Sequence, residues 1–142
     1  MAVQGHDRRY MALTQLETAL RLYFECQNYY SVVALAGAAD ETFGQLLTAK
    51  GLDSSIETIK KSVVAIHKHL TGEVIDPSAV ADRANHARNA LKHWSTGQPL
   101  VVSFDSLEEA QDMLNRAIDN YWALEQQLSP AMERFQRESM AA

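Results

Sequence analysis

Ser31-Val32-Val33-Ala34-Leu35-Ala36-Gly37-Ala38-Ala39 is the longest apolar stretch in the chain, and it decides the fold class. It is far shorter than the roughly 20 apolar residues that a membrane-spanning helix needs, so it predicts a helix buried in a protein core. The apolar side chains continue at the spacing of one helix face as Val32, Leu35, Ala39, Phe43 and Leu46. We expect this helix to end at Lys50, because Gly51 can supply a left-handed terminal residue.

Apolar spacing and capping residues predict helices along most of the remaining chain. Ser54 with Glu57 forms a capping-box pattern, as does Ser106 with Glu109. The other predicted helices run from about Arg8 to Cys26, from Ser54 to Gly72, from Asp76-Pro77 to about His93 or Trp94, and from Ser106 to Leu128, with a short tail helix that begins at Ser129-Pro130 and frays after Phe135. Residues 95–105 are expected to form a loop. The expected fold is an all-α, five-helix up-and-down bundle of long antiparallel helices.

Two further expectations concern the protein core. The third predicted helix presents its apolar face through Ile56, Ile59, Val63, Ile66 and Leu70. Cys26 is the only cysteine, so it cannot form an internal disulfide, and we expect it to be a small core residue.

Length and composition predict an ordinary soluble protein. A chain of 142 residues is expected to form one domain over residues 1–142. The residues before the first apolar run lack the hydrophobic segment of a signal peptide, so we expect a cytoplasmic location and no membrane association. A net charge of -5 argues against a protein that coats nucleic acid through many Lys and Arg contacts, so any contact with nucleic acid must be local.

Arg88-Asn89-Ala90-Leu91-Lys92-His93 places a guanidinium, a carboxamide and an imidazole on one short segment. No acidic residue occurs between Arg83 and Lys92. Because each helical residue advances the side-chain direction by about 100°, a continuous helix would divide this region into two faces. The polar face would carry Asn85, His86, Arg88, Asn89, Lys92 and His93, and the apolar face would carry Ala84, Ala87, Ala90, Leu91 and Trp94. Arg88 and His93 would diverge by about 140° and flank Asn89.

The Arg-Asn-x-x-x-His order of Arg88, Asn89 and His93, late in a helical chain, resembles the motif of HEPN-domain proteins. The small-residue helix with an acidic end, residues 35–41, is similar to a helix of bacterial HEPN proteins, and the resemblance covers essentially the whole chain. It implies a metal-independent endoribonuclease, often the toxin of a toxin–antitoxin pair or a defence protein. It also implies a homodimer with the two motifs across the interface, and an antitoxin or nucleotidyltransferase as a partner protein.

That resemblance and the residue types together suggest a role for each group. An RNA 2′-hydroxyl that attacks its neighbouring phosphate needs a base near neutral pH, and His93 is the candidate. Arg88 would stabilise the transition state through paired donors, while Asn89 would position the phosphate or orient His93. The product would be a 2′,3′-cyclic phosphate, and DNA would remain intact because it lacks the 2′-hydroxyl. The expected substrate-binding residues are Arg83, Asn85, His86 and Lys92, with no metal or cofactor.

The same residues also have plainer interpretations. Arg88 could form a surface ion pair, and His93 could be an imidazole favoured by the dipole at a helix C-terminus. Close packing at Gly37 could let Asp40 or Glu41 orient Arg88, or these could be two exposed carboxylates. The alternative function is therefore a non-catalytic HEPN-like helical dimer that binds RNA, a nucleotide or a partner protein.

Overall fold

The fold of residues 1–141, which a computed structural model describes, is built from helices and contains no strand. The elements are α1 (Arg8–Arg21), a π-helical segment (Leu22–Cys26), α2 (Tyr29–Ala49), α3 (Ser55–Thr71), α4 (Pro77–Ala84), α5 (His86–Lys92), α6 (Ser106–Glu125) and α7 (Pro130–Met140). The predicted all-α class is confirmed. Over the same residues the helix count is seven rather than five, because the fourth predicted helix is divided and the tail helix is longer than expected.

Helices α2 and α6 form the centre of the core, and α1 packs against α2. Phe43 of α2 is fully buried, as are Leu114 and Ile118 of α6. Burying a side chain of this size contributes roughly 1.5–3 kcal/mol. Phe135 of α7 is buried as well, so α7 continues past that residue to Met140 instead of fraying there.

Several helix ends follow the predicted chemistry. Ser54 Oγ accepts a hydrogen bond from the backbone N–H of Glu57 and begins α3. Gly51, just after α2, and Gly72, at the end of α3, have the left-handed backbone, with φ of 73° and 74°. The predicted capping box at Ser106 is wrong, because Asp105 caps α6 by accepting from the N–H of Glu108 at 3.0 Å.

The fourth predicted helix is interrupted at Asn85, whose φ of −103° and ψ of 10° depart from helical values. The Arg116 guanidinium from α6 donates to the Ala84 carbonyl at 3.4 Å and to Asn85 Oδ1 at 2.8 Å. A side chain inserted into a helix in this way is a common cause of a break. The result is two short helices, α4 and α5, in place of one.

Burial differs from expectation at two places. Helix α3 has no fully buried residue, and Val63, Ile66 and Leu70 of its expected core face are exposed. Cys26, which was expected in the core, is also exposed at the end of the π-helical segment. Among residues 1–141, no helix has the length and apolar character needed to cross a membrane.

Candidate functional site

The residues of the predicted motif lie on and just beyond α5, which packs against α2. Ala87 is buried and anchors this short helix to the core. Arg88 and Asn89 are half-buried, whereas Lys92 and His93 are exposed. The motif therefore spans the boundary between the core and the solvent.

Arg88 lies directly against a glycine of α2. A Cβ atom added to Gly37 would stand 2.7 Å from Arg88 Cδ and 2.9 Å from Arg88 Cγ, so a larger residue at this position would force the Arg88 side chain to shift. The contact brings Arg88 Nη1 to 3.9 Å from Asp40 Oδ2. The close approach considered from the sequence is present, and it leads Arg88 to Asp40, which is itself buried.

Asp40 is the centre of a buried polar network. Arg116 Nη2 donates to Asp40 Oδ2 at 2.7 Å, and Asn120 Nδ2 donates to Asp40 Oδ1 at 3.0 Å. Asn120 Oδ1 accepts from the backbone N–H of Ser55 at 2.7 Å, which links the network to the start of α3. These bonds join α2, α3 and α6, and the Arg88 contact adds α5.

Sequence reasoning did not identify Arg116 and Asn120. Both lie on α6 at helical spacing from the buried residues Met113 and Ala117, so they are polar side chains on an apolar face. Polar residues on an apolar helix face were therefore the sequence signal that could have identified this pair. A polar side chain in a core needs a partner, and the buried Asp40 was not recognised as one.

Burial raises the pKa of the Asp40 carboxyl, and the positive charges of Arg116 and then Arg88 oppose that rise. The guanidinium groups of Arg116 and Arg88 thus both lie next to the Asp40 carboxylate. Arg116 holds it at hydrogen-bond distance, while Arg88 makes only the longer contact. Within residues 1–141, the buried Nε atoms of Arg88 and Arg116 have no hydrogen-bond partner. The cluster therefore has more positive charge and more donors than its own carboxylate satisfies.

Lys92 and His93 occupy the solvent side of the site. Lys92 Nζ lies 3.6 Å from Glu41 Oε2, and both side chains are more than half exposed, at 55% and 51%. An exposed ion pair of this kind contributes only about 0–1 kcal/mol. His93 follows the last residue of α5 with an extended backbone, and its N–H donates to the Asn89 carbonyl at 2.9 Å. α5 therefore ends at Lys92, close to the predicted end at His93 or Trp94.

Asn85 was expected to bind substrate, but the structure gives it another task. Its Oδ1 atom is occupied by Arg116, and the side chain is half-buried at the break between α4 and α5. The continuous helix assumed in the prediction does not exist at this residue. Asn85 therefore belongs to the buried network rather than to the exposed surface.

Arg83 and His86 were also expected to bind substrate, as part of a surface without carboxylates. Instead they line a cleft of about 1170 Å³ between α3, α4 and α6. The cleft also contains Asp53, Asp82, Glu108, Glu109, Asp112 and Asp119. Asp82 directly precedes Arg83 on α4, and the other carboxylates come from α6 and from the segment before α3, so the stretch from Arg83 to Lys92 gave no sign of them. This acidic lining is unfavourable for phosphate.

Three carboxyl groups of this cleft have raised pKa values. Burial is the main cause for Glu109, Asp112 and Asp119, and for Glu109 the neighbouring charges of Asp112 and Glu108 add to it. The charge of His86 partly opposes the rise at Glu109. None of these three carboxylates forms an ion pair within the described residues. The cleft therefore contains more carboxylates than basic groups.

Comparison of the chain with protein-family models, with curated proteins and with solved structures found no match.

The arrangement separates two surfaces of opposite character on either side of the Asn85 break. On the α5 side, Arg88 provides donors, Asn89 a carboxamide and His93 an exposed imidazole. On the α4 side, the cleft is acidic. Across residues 1–141, no three His, Cys, Asp or Glu side chains converge in the manner of metal ligands. Among the predicted site residues, Arg88, Lys92 and His93 thus lie apart from the acidic cleft.

Proposed function

We propose that the chain is a metal-independent endoribonuclease of the HEPN type, with a HEPN-like bundle arrangement and a cytoplasmic location. The observation that carries the proposal is the state of Arg88. Its guanidinium is held beside Asp40 at 3.9 Å, beyond hydrogen-bond distance, and its side chain is 17% exposed. A guanidinium that is fixed in place with donors to spare is suited to binding a phosphate.

In this proposal each motif residue has a chemical task. His93 removes the proton of the RNA 2′-hydroxyl, which then attacks the adjacent phosphate. Arg88 stabilises the charge that develops on the phosphate oxygens, and Asn89 positions the phosphate or orients His93. Asp40 fixes the Arg88 guanidinium. The P–O5′ bond breaks and the leaving 5′-oxygen takes a proton from the solvent, so the products are a 2′,3′-cyclic phosphate and a free 5′-hydroxyl.

Lys92 remains a substrate-binding residue in this proposal, and Glu41 is its resting partner. Because the Lys92–Glu41 pair is exposed and weak, an RNA phosphate can replace the carboxylate at little cost. Arg83, Asn85 and His86 are not included, since Asn85 is bound to Arg116 and the other two face the acidic cleft. The RNA contact is thus confined to the segment from Arg88 to His93.

A homodimer belongs to the same proposal. The segment from Arg88 to His93 supplies a single guanidinium and a single imidazole, and a second copy would double the donors around one phosphate. The resemblance to HEPN-domain proteins adds an antitoxin or nucleotidyltransferase as the protein partner. Size-exclusion chromatography with light scattering measures the oligomeric state, and a monomer at micromolar concentration would contradict the dimer.

The contacts of Arg88 and Lys92 with α2 favour one alternative function. Both cations pair with neighbouring carboxylates, Asp40 and Glu41, in contacts that hold α5 in place without any substrate. A non-catalytic HEPN-like dimer that binds RNA, a nucleotide or a partner protein would have the same contacts.

Incubation of the purified protein with a mixed RNA substrate in EDTA separates these functions. The ribonuclease proposal expects cleavage that persists in the chelator and falls by about a hundredfold or more in both Arg88→Ala and His93→Ala. The matched controls are Arg137→Ala and His69→Ala, because both residues are exposed and lie outside the site. Intact RNA with retained binding supports the alternative, and cleavage that both site variants retain contradicts the proposed chemistry.

A further inference from the structure

Arg116 connects the parts of the protein that surround Arg88. From α6, its guanidinium reaches Asp40 on α2 and both Ala84 and Asn85 at the break before α5. The residue is only 5% exposed, so these contacts are made inside the protein. Arg116 therefore holds the carboxylate beside Arg88 and also the beginning of the helix that carries Arg88.

The distances around Asp40 show how the two arginines share it. Oδ2 accepts from Arg116 at 2.7 Å, and Oδ1 accepts from Asn120 at 3.0 Å. Arg88 approaches the same Oδ2 atom that Arg116 occupies, but stops at 3.9 Å. Without Arg116, Arg88 would be free to form a direct, charge-assisted hydrogen bond with Asp40 Oδ2. Such a bond would use a donor that a phosphate needs.

We propose that Arg116 is a positioning residue for Arg88. By occupying both Asp40 and the Asn85 carboxamide, Arg116 keeps the Arg88 guanidinium close to the carboxylate but unbonded, and so ready to bind an oxyanion. This inference rests on the proposed function, since it takes a phosphate as the ligand of Arg88. Arg116 itself does not touch the substrate.

Inorganic phosphate is the probe, and the arginine Nε–Hε signals in NMR spectra are the readout. The Arg88 signal is assigned by its loss in Arg88→Lys. In the wild type, phosphate should shift this signal. Arg116→Met replaces the guanidinium with a long, unbranched apolar side chain. In this variant the phosphate affinity measured at Arg88 should fall by at least about tenfold, which is the effect of losing one charge-assisted hydrogen bond. Arg137→Met removes an exposed arginine and should leave the affinity unchanged.

Arg116→Lys covers the case in which Arg116→Met fails to fold. Its ammonium group keeps the charge beside Asp40 but lacks the fork that also binds Asn85, so the phosphate affinity should be intermediate. A wild-type affinity in the folded Arg116→Met protein would overturn the inference. If that protein does not fold, a wild-type affinity in Arg116→Lys has the same meaning. A wild-type Arg88 signal that phosphate does not move also overturns it.

RNA cleavage by the same proteins distinguishes this inference from the ribonuclease proposal. If the wild type cleaves no RNA but binds phosphate at Arg88 in an Arg116-dependent way, the ribonuclease proposal fails and the positioning role stands. If the wild type cleaves RNA and Arg116→Met retains both cleavage and phosphate affinity, the positioning role fails and the ribonuclease stands.

Discussion

Gly37 and Arg88 show at the scale of single residues what the sequence reveals and what it hides. A glycine inside a helix costs about 1 kcal/mol relative to alanine, so Gly37 already indicated that something packs closely there. The sequence also supplied the neighbouring Asp40 as a candidate partner for Arg88. It did not reveal that Arg116 takes the nearer position on Asp40, because that bond joins residues 76 positions apart.

Gly37→Ala should destabilise the protein even though alanine is the better helix former. The added Cβ would lie 2.7 Å from Arg88 Cδ, and overpacking of this kind costs about 1–3 kcal/mol, which exceeds the gain in helix propensity. We expect a net loss of about 1 kcal/mol in urea unfolding. In an Arg88→Ala background the clash is absent, so the same substitution should become stabilising. An equal effect of Gly37→Ala in both backgrounds would show that Arg88 does not fill this space.

At the scale of helices, local chemistry was predicted better than tertiary context. The caps at Ser54 and Gly72 follow from rules that involve only neighbouring residues. The break at Asn85 depends on a donor from α6, and the angular positions of the predicted site residues changed with it. Asn85 and His86 consequently lie away from the predicted RNA surface, whereas Arg88 packs against α2.

Helix α3 provides the corresponding test of burial. Its apolar residues recur at regular helical spacing, which predicts a core face, but Ile66 is 58% exposed. Because little apolar area is lost, Ile66→Gln should change the free energy of unfolding by no more than about 0.5 kcal/mol. The matched Ile118→Val, in the fully buried face of α6, should cost about 0.5–1.5 kcal/mol despite being the milder change. A larger loss for Ile66→Gln, measured in dilute solution, would mean that this face is covered.

At the scale of the whole molecule, the distribution of charge matters more than its sum. The net charge of -5 correctly excluded a uniformly basic surface, but it could not show that carboxylates from different helices meet in one cleft. The basic residues of the predicted site are likewise divided, because Arg83 lines this cleft whereas Arg88 and Lys92 lie on α5. Charges that are far apart in the sequence and close in space are invisible to a pattern along the chain.

The cleft predicts how stability depends on pH. Burial raises the pKa of Asp119 in the folded protein above its ordinary value of 3.8. The unfolded chain therefore binds fewer protons than the folded protein in this pH window, and Asp119 lowers stability as pH rises from 3.8 through the folded pKa. Asp119→Asn removes that loss of stability. The variant should match the stability of the wild type near pH 3.8 and should be more stable than the wild type by about 0.5 kcal/mol at neutral pH. Urea unfolding across pH measures the difference, and Glu125→Gln, which removes one exposed charge outside the cleft, controls for net charge. If Asp119→Asn gains no more stability than Glu125→Gln as pH rises, the cleft does not destabilise the charged form of Asp119.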